Sequence, residues 1–295
     1  MFDLRYHVAS LAAVFIALVI GIVVGVGLSE SGVAKQAELE NARRDLAAER
    51  AANAQLDADL EEYSRTQNAF RDAYPFLMDR RLSGKKIAVL FAGPIDGGVR
   101  DAIERTLLDA GAATSGIPLR LISLKLPIDD ADLATTLDAA GSEFSPYAGK
   151  DRFGALGRAL AREFVQGGEE TPLWQLLSPK LVEQRSGALS RPADGVVVVR
   201  TVPPQAGPTA RLLSGLVSGI AAQGAPAVAV EATDAEESAV PVFRQRGLST
   251  VDDIDLGTGR FALALLLADA ASGAYGVRDD ADGVLPPVEP LPAEQ

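Results

Sequence analysis

Cysteine is absent from the 295-residue chain, which excludes disulfides, thiolate metal sites and cysteine nucleophiles. That absence leaves the compartment open. Histidine is limited to His7, beside a long apolar segment, so imidazole catalysis is excluded from the rest of the chain. Methionine occurs only as Met1 and Met78, and aromatic residues make up 5% of the sequence. No Lys/Arg block occurs, and the net charge of −12 lacks the concentrated basic face that nucleic-acid phosphates require. No GxSxG nucleophile elbow is found either.

What is present begins with an uncharged run, VASLAAVFIALVIGIVVGVGL, residues 8–28. A hydrocarbon core of ~30 Å takes ~20 helical residues to cross, and the run is 21 long. It exceeds the ~7–15 apolar residues of a secretory signal, and SESGVAK follows it in place of a small-x-small cleavage site. Apolar residues cover every face, unlike a core helix with one buried stripe. A membrane anchor is expected. Arg5 and the chain amine flank one end, while Lys35, Arg43 and Arg44 follow the other. Counted alone, these charges lean toward a cytoplasmic C-terminal domain. Gly21 and Gly25 form a GxxxG, a spacing that lets two membrane helices approach closely.

Residues 35–77 contain no glycine, and their first proline is Pro75. Setting Leu39, Leu46, Asn53, Leu60, Gln67 and Tyr74 at heptad position a places Ala42, Glu49, Leu56, Tyr63, Phe70 and Leu77 at d. This spacing predicts a coiled coil interrupted by Glu49 and Gln67. Asn53 at a would fix register and favour a parallel dimer. The alternative is one amphipathic helix packed on its own domain. The GxxxG directly above favours a parallel homodimer or higher oligomer.

From residue 83 the pattern becomes β/α. KKIAVLFAG (85–93), LRLISLKL (119–126), GVVVVRTV (195–202) and PAVAVEAT (226–233) read as strands. Helical patterns fall over 150–166, 172–184 and 259–273, and PTARLLSGLVSGIAAQG reads as a helix ending at Gly224. The expected fold class is α/β: a transmembrane anchor over 1–30, a coiled-coil stalk over 31–82 and a Rossmann-like parallel-sheet domain with a helical insertion over 83–278. The acidic, Pro-rich tail over 279–295 is expected to be disordered.

Ligands on such sheets bind at the carboxyl ends of strands. The first such loop, GPIDGGV (93–99), matches neither GxGxxG nor GxxxxGK[ST]. The acidic cluster worth weighing is in STVDDIDLGTGR (249–260), where Asp252, Asp253 and Asp255 could offer oxygens to a hard cation. Ala264 stands where an EF-hand needs Glu, so the standard calcium loop is excluded and only a weak cation site is expected. The alternative is a turn leading into the last helix, with carboxylates near its N-terminus.

LRYHVASLAAVFIALVIGIVVGVGL, the coil after it and GLSTVDDIDLGTGRFALALLLADAASGAYG together resemble the actinobacterial copper-transport protein B family (MctB), over nearly the whole chain. The resemblance implies an envelope protein with one N-terminal helix and a soluble domain outside the cytoplasm, opposite to the lean of the charges. It also implies copper efflux that limits intracellular copper, and in mycobacteria an outer-membrane association with pore activity. The ligand inventory adds little to that. Copper(I) prefers thiolate and thioether ligands, and imidazole serves copper generally, whereas this chain has no Cys, one His and two Met. Copper is therefore expected as transported ion, without a resident cofactor or enzymatic activity. The second reading is a membrane-anchored coiled-coil scaffold whose α/β domain binds an envelope partner or a small ligand.

Overall fold

The computed structural model describes residues 4–27, 31–147, 149, 152–269 and 271–288. They fall into two units, Met1–Ala69 and Phe70–Gln295. The first contains helix α1 (Leu4–Gly27) and helix α2 (Ser31–Met78) as far as Ala69. Among the described residues no helix is long and apolar enough to cross a membrane, so the structure does not supply the anchor expected over residues 8–28. Residues 28–30, and the side chains of residues 1–9 and 26–37, lie outside the description. The described side chains of α1 are exposed from Ser10 to Gly25, and no described atom comes within 4 Å of a Cβ built at Gly21 or Gly25.

The second unit is built on one seven-stranded sheet, in the order β3-β2-β1-β4-β5-β6-β7. β1 (Ile87–Ala92) and β4 (Gly195–Arg200) lie at its centre, paired in parallel from Ile87↔Gly195 to Ala92↔Arg200. Both runs are apolar because both faces of the strand are covered. Side chains alternate across a strand, so Ala88, Leu90, Val196 and Val198 enter one core and Val89, Phe91, Val197 and Val199 the other. The first core lies under α5 (Phe153–Gln166), α6 (Pro172–Leu181), α7 (Gly207–Ala221) and α8 (Val240–Arg244). The second lies under α3 (Gly97–Asp109), α9 (Gly257–Leu267) and the end of α2. The strands β2 (Arg120–Leu124), β5 (Ala227–Val230), β6 (Ser249–Val251) and β7 (Ala274–Tyr275) continue the parallel pairing.

Several expectations need correction. The helix expected over 172–184 stops at Leu181, and β3 (Val182–Gly187) turns back antiparallel to β2. β3 is an exposed polar edge strand, so neither hydrophobic period nor β-branched composition announces it. The compact unit begins at Phe70 and not at residue 83. Phe70, Tyr74 and Leu77, given seam positions by the heptad, pack against the second core, where Met78 and Leu82 are fully buried. Single-helix packing thus holds for the end of α2, while Leu39, Leu46, Leu56 and Leu60 stay exposed along its earlier part. The tail is also ordered as far as residue 288. Asp282 accepts from Ala274 N at 2.8 Å and Arg244 Nη2 at 3.0 Å, and Gly276 N donates to Gly283 O at 3.0 Å. Residues 289–295 lie outside the described part.

The helical insertion between β2 and β4 contains α4 (Asp130–Ala139), α5 and α6. α5 crosses α7 with backbone nearly touching backbone. A Cβ at Gly215 would collide with Gly154 O, and one at Gly219 would stand 2.6 Å from Ala161 Cβ. Gly215-Leu-Val-Ser-Gly219 is thus a GxxxG used inside the α/β unit, by the close-approach logic that small residues serve in membranes. β2 is tied to the same layer by Arg120, only 1% exposed. Its guanidinium donates to Phe164 O at 2.9 Å and to Arg191 O. Phe164 lies in the last turn of α5, where free carbonyls favour a cation. Burial pushes the Arg120 pKa down to about 10, which leaves it charged at neutral pH.

Candidate functional site

In a sheet of this order the connections diverge between β1 and β4, and the crevice outside their carboxyl ends is the usual ligand position. Here that crevice is shut. Thr201 Oγ1, just past β4, donates to Pro94 O, just past β1, at 2.6 Å. Asp96 accepts from Val99 N at 2.8 Å, so its own carboxylate occupies the amides of the α3 N-terminus that a phosphate would use.

Further along the carboxyl edge the polar groups are equally committed. Glu231, following β5, accepts from Ser238 Oγ and Ala239 N at 2.7 Å each, which holds the connection to α8. Its Oε1 also lies 3.1 Å from Arg278 Nε.

Asp252, Asp253 and Asp255 do not form the expected cation site. Successive residues leaving an extended strand point to opposite sides, and each carboxylate finds a separate donor. Asp252 Oδ1 accepts from Val277 N at 2.8 Å. Asp253 Oδ2 accepts from Thr258 Oγ1 at 2.7 Å. Asp255 Oδ1 takes Thr233 N at 2.8 Å and Thr233 Oγ1 at 3.0 Å. No cluster of three metal-ligating side chains occurs among the described residues. The turn reading is the one the geometry realises. Gly276 has φ +142, and a Cβ there would strike Asp252 Oδ1. The Gly257-Thr258-Gly259 start of α9 leaves no phosphate space, because Asp253 and the Phe70 ring fill it.

Asp253 is nevertheless perturbed by its burial. Burial pushes its pKa from 3.8 up to about 6, Asp252 and Asp255 add to the rise, and the Thr258 hydroxyl opposes it. The folded state therefore binds this proton more tightly than the unfolded chain. Its stabilising contribution is complete below about pH 4 and is lost as pH rises through about 6, a change on the order of 3 kcal/mol at most. We expect Asp253→Asn to lessen the fall in urea midpoint between pH 4.5 and pH 7. Equal slopes in wild type and variant would refute that assignment.

What the edge leaves open is a cleft on the first-core face, with a volume of about 240 Å3. Its floor is Leu90, Ala92, Val198 and Arg200, the carboxyl halves of β1 and β4. Ala210, Leu213, Ser214 and Val217 present one side of α7, and Val242, Phe243 and Arg246 close the other side from α8 and its exit. Val202 to Gln205 form the lip. Arg200 and Arg246 are the charged residues of this largely apolar lining, Ser214 and Gln205 its uncharged polar ones, and no carboxylate lines it. Such a lining binds and orients; it assembles no nucleophile–base pair. Sequence reasoning missed this site because it draws on four separated segments, none with a motif of its own.

Asn53, assigned to the stalk register, is exposed on α2. A second feature escaped the sequence as well. Arg260 lies over the Tyr74 ring at 5.5 Å, and burial raises the Tyr74 pKa above its ordinary value. This pair fixes the end of α2 to α9.

A family model described as "Copper transport outer membrane protein, MctB" matches residues 1–286. No curated protein matches the chain.

Proposed function

Because the chain belongs to the MctB family of copper transport outer membrane proteins, we propose that it acts in the cell envelope to limit intracellular copper, as a non-enzymatic component of copper efflux. The observation that carries this reading is the extent of the family match, which takes in the N-terminal apolar helix, α2 and the whole α/β unit. Residues 8–28 serve as the single anchor. What supports the anchor is the sequence itself, an uncharged run of 21 residues against the ~20 that a hydrocarbon core takes to cross. The Rossmann-like domain stands outside the cytoplasm.

Copper is cargo in this reading. Met78, the chain's one thioether besides Met1, is fully buried in the second core. Copper then moves through an assembly of chains or with a partner. The exposed leucines of α2 support the assembly. Leu39, Leu46, Leu56 and Leu60 remain 46–59% exposed, a stripe that a parallel copy would cover. Gly21 and Gly25 would let the anchors meet. Replacing Asn53 with Leu in the full chain should raise the melting temperature while broadening the oligomer distribution in light scattering. A lowered melting temperature would place Asn53 away from any seam.

The deciding experiment measures cell-associated copper in a deletion strain, the complemented strain and a strain complemented from residue 31. Several-fold accumulation, reversed by the full chain alone, is the expected result. Equal copper in all three removes the efflux reading. The scaffold reading, favoured by the same exposed stripe, would then stand in its place.

A further inference from the structure

We propose that the cleft between α7 and α8 binds a short acyl carboxylate, its chain on the apolar floor and its carboxylate at Arg200 and Arg246. Three observations converge. The cavity lies beside the point where strand connections diverge, where open parallel sheets take their ligands, yet the usual polar crevice there is closed by Thr201 and Pro94. Its floor and walls are aliphatic and aromatic, with Ser214 and Gln205 the only uncharged polar side chains. Four polar side chains cannot serve every hydroxyl of a sugar or nucleotide, and each polar group left unpaired there would carry its desolvation cost.

The charge at the cavity then selects the ligand. In a chain of net charge −12, this cleft carries Arg200 and Arg246 and no carboxylate. Arg200 uses one Nη2 bond on Glu237 O, at 2.9 Å, which fixes its position and leaves its other donors free to serve a ligand. Arg246 is exposed, and a guanidinium pairs with a carboxylate in planar, two-pronged geometry. The volume of about 240 Å3 is below the ~300–1,000 Å3 of drug-sized pockets. That suits a short chain and excludes a peptide helix or a whole lipid.

The test uses the full chain in nanodiscs of zwitterionic lipid, with empty nanodiscs subtracted, and reads saturable binding of hexanoate and 1-hexanol by saturation-transfer NMR. Hexanoate should bind wild type at least five-fold more tightly than Arg246→Gln, while 1-hexanol should differ by less than two-fold between them. Ala210→Phe, which fills the cleft from α7, should abolish both; if its melting temperature falls, Ser214→Leu makes the same block at a half-buried position. Absence of saturable hexanoate binding, or binding that survives both blocking variants, would overturn the site. Unchanged hexanoate affinity in Arg246→Gln would overturn the carboxylate assignment.

Discussion

A chain beginning at Phe70 should fold as a cooperative soluble domain, whereas one beginning at Ser83 should lose most of its stability. The difference is the last part of α2 and the turn after it. Met78 and Leu82 are fully buried, and Leu82 N donates to Ala110 O at 2.8 Å, joining this segment to the end of α3. Phe70 meets Phe261 at a centroid distance of 6.4 Å, and Arg260 lies over Tyr74. Removing one buried Met or Leu side chain costs about 2–5 kcal/mol. Two such losses, together with an uncovered Phe261, approach the whole stability of a domain, about 5–15 kcal/mol. Urea denaturation followed by circular dichroism should give a sigmoidal transition for the Phe70 start and little or none for the Ser83 start. Matching midpoints would mean that the end of α2 is a bystander.

The second large effect is expected at Gly215. Its Cα faces Gly154 O with no room for a methyl group, and a Cβ at Gly157 on the opposite helix would collide with Leu212 O. Backbone cannot yield as a flexible side chain can, so overpacking here should reach or exceed the usual ~1–3 kcal/mol. Gly215→Ala should lower the melting temperature by several degrees, and Gly215→Val should leave too little folded protein to melt. Gly97, which has helical surroundings and open space, serves as control: Gly97→Ala should be close to neutral. A Gly215→Val protein with native melting behaviour would mean that α5 and α7 do not cross at this distance.

The parts of the fold that were legible share one property, a buried face with a local signature. β1, β4 and β5 announced themselves as short β-branched apolar runs, because both of their faces are covered. β3 did not, being polar and exposed, and β6 and β7, of three and two residues, are too short to show any period. The heptad over α2, interrupted at Glu49 and Gln67, ran on to Leu77 although its last turns belong to the domain, because coil seams and domain cores ask for the same apolar residues at the same spacing.

Asp252, Asp253 and Asp255 misled for a different reason. Adjacency in sequence says that carboxylates are near one another, whereas a strand end sends them to Val277, Thr258 and Thr233. The GxxxG at Gly215 and Gly219 was readable in the same terms as that at Gly21 and Gly25. Its spacing carried the close-packing signal into a helix of the α/β unit. The cleft had no such spacing to read, since its two arginines are separated by the whole of α7, β5 and α8.

The two rims of the sheet bear on how many copies can crowd together without fusing. Open strand edges are templates for a neighbour's backbone and seed aggregates unless covered or charged. At one rim β3 shows Glu183 and Arg185 to solvent. At the other, the bridge between Tyr275 and Gly283 lays the acidic tail along β7, with Asp282 fastened to Arg244. Neither margin offers a bare ladder for a neighbouring chain. In the proposed assembly, copies brought together by α2 would keep their sheets separate, and cutting the chain at residue 278 would turn that protected margin into a sticky one.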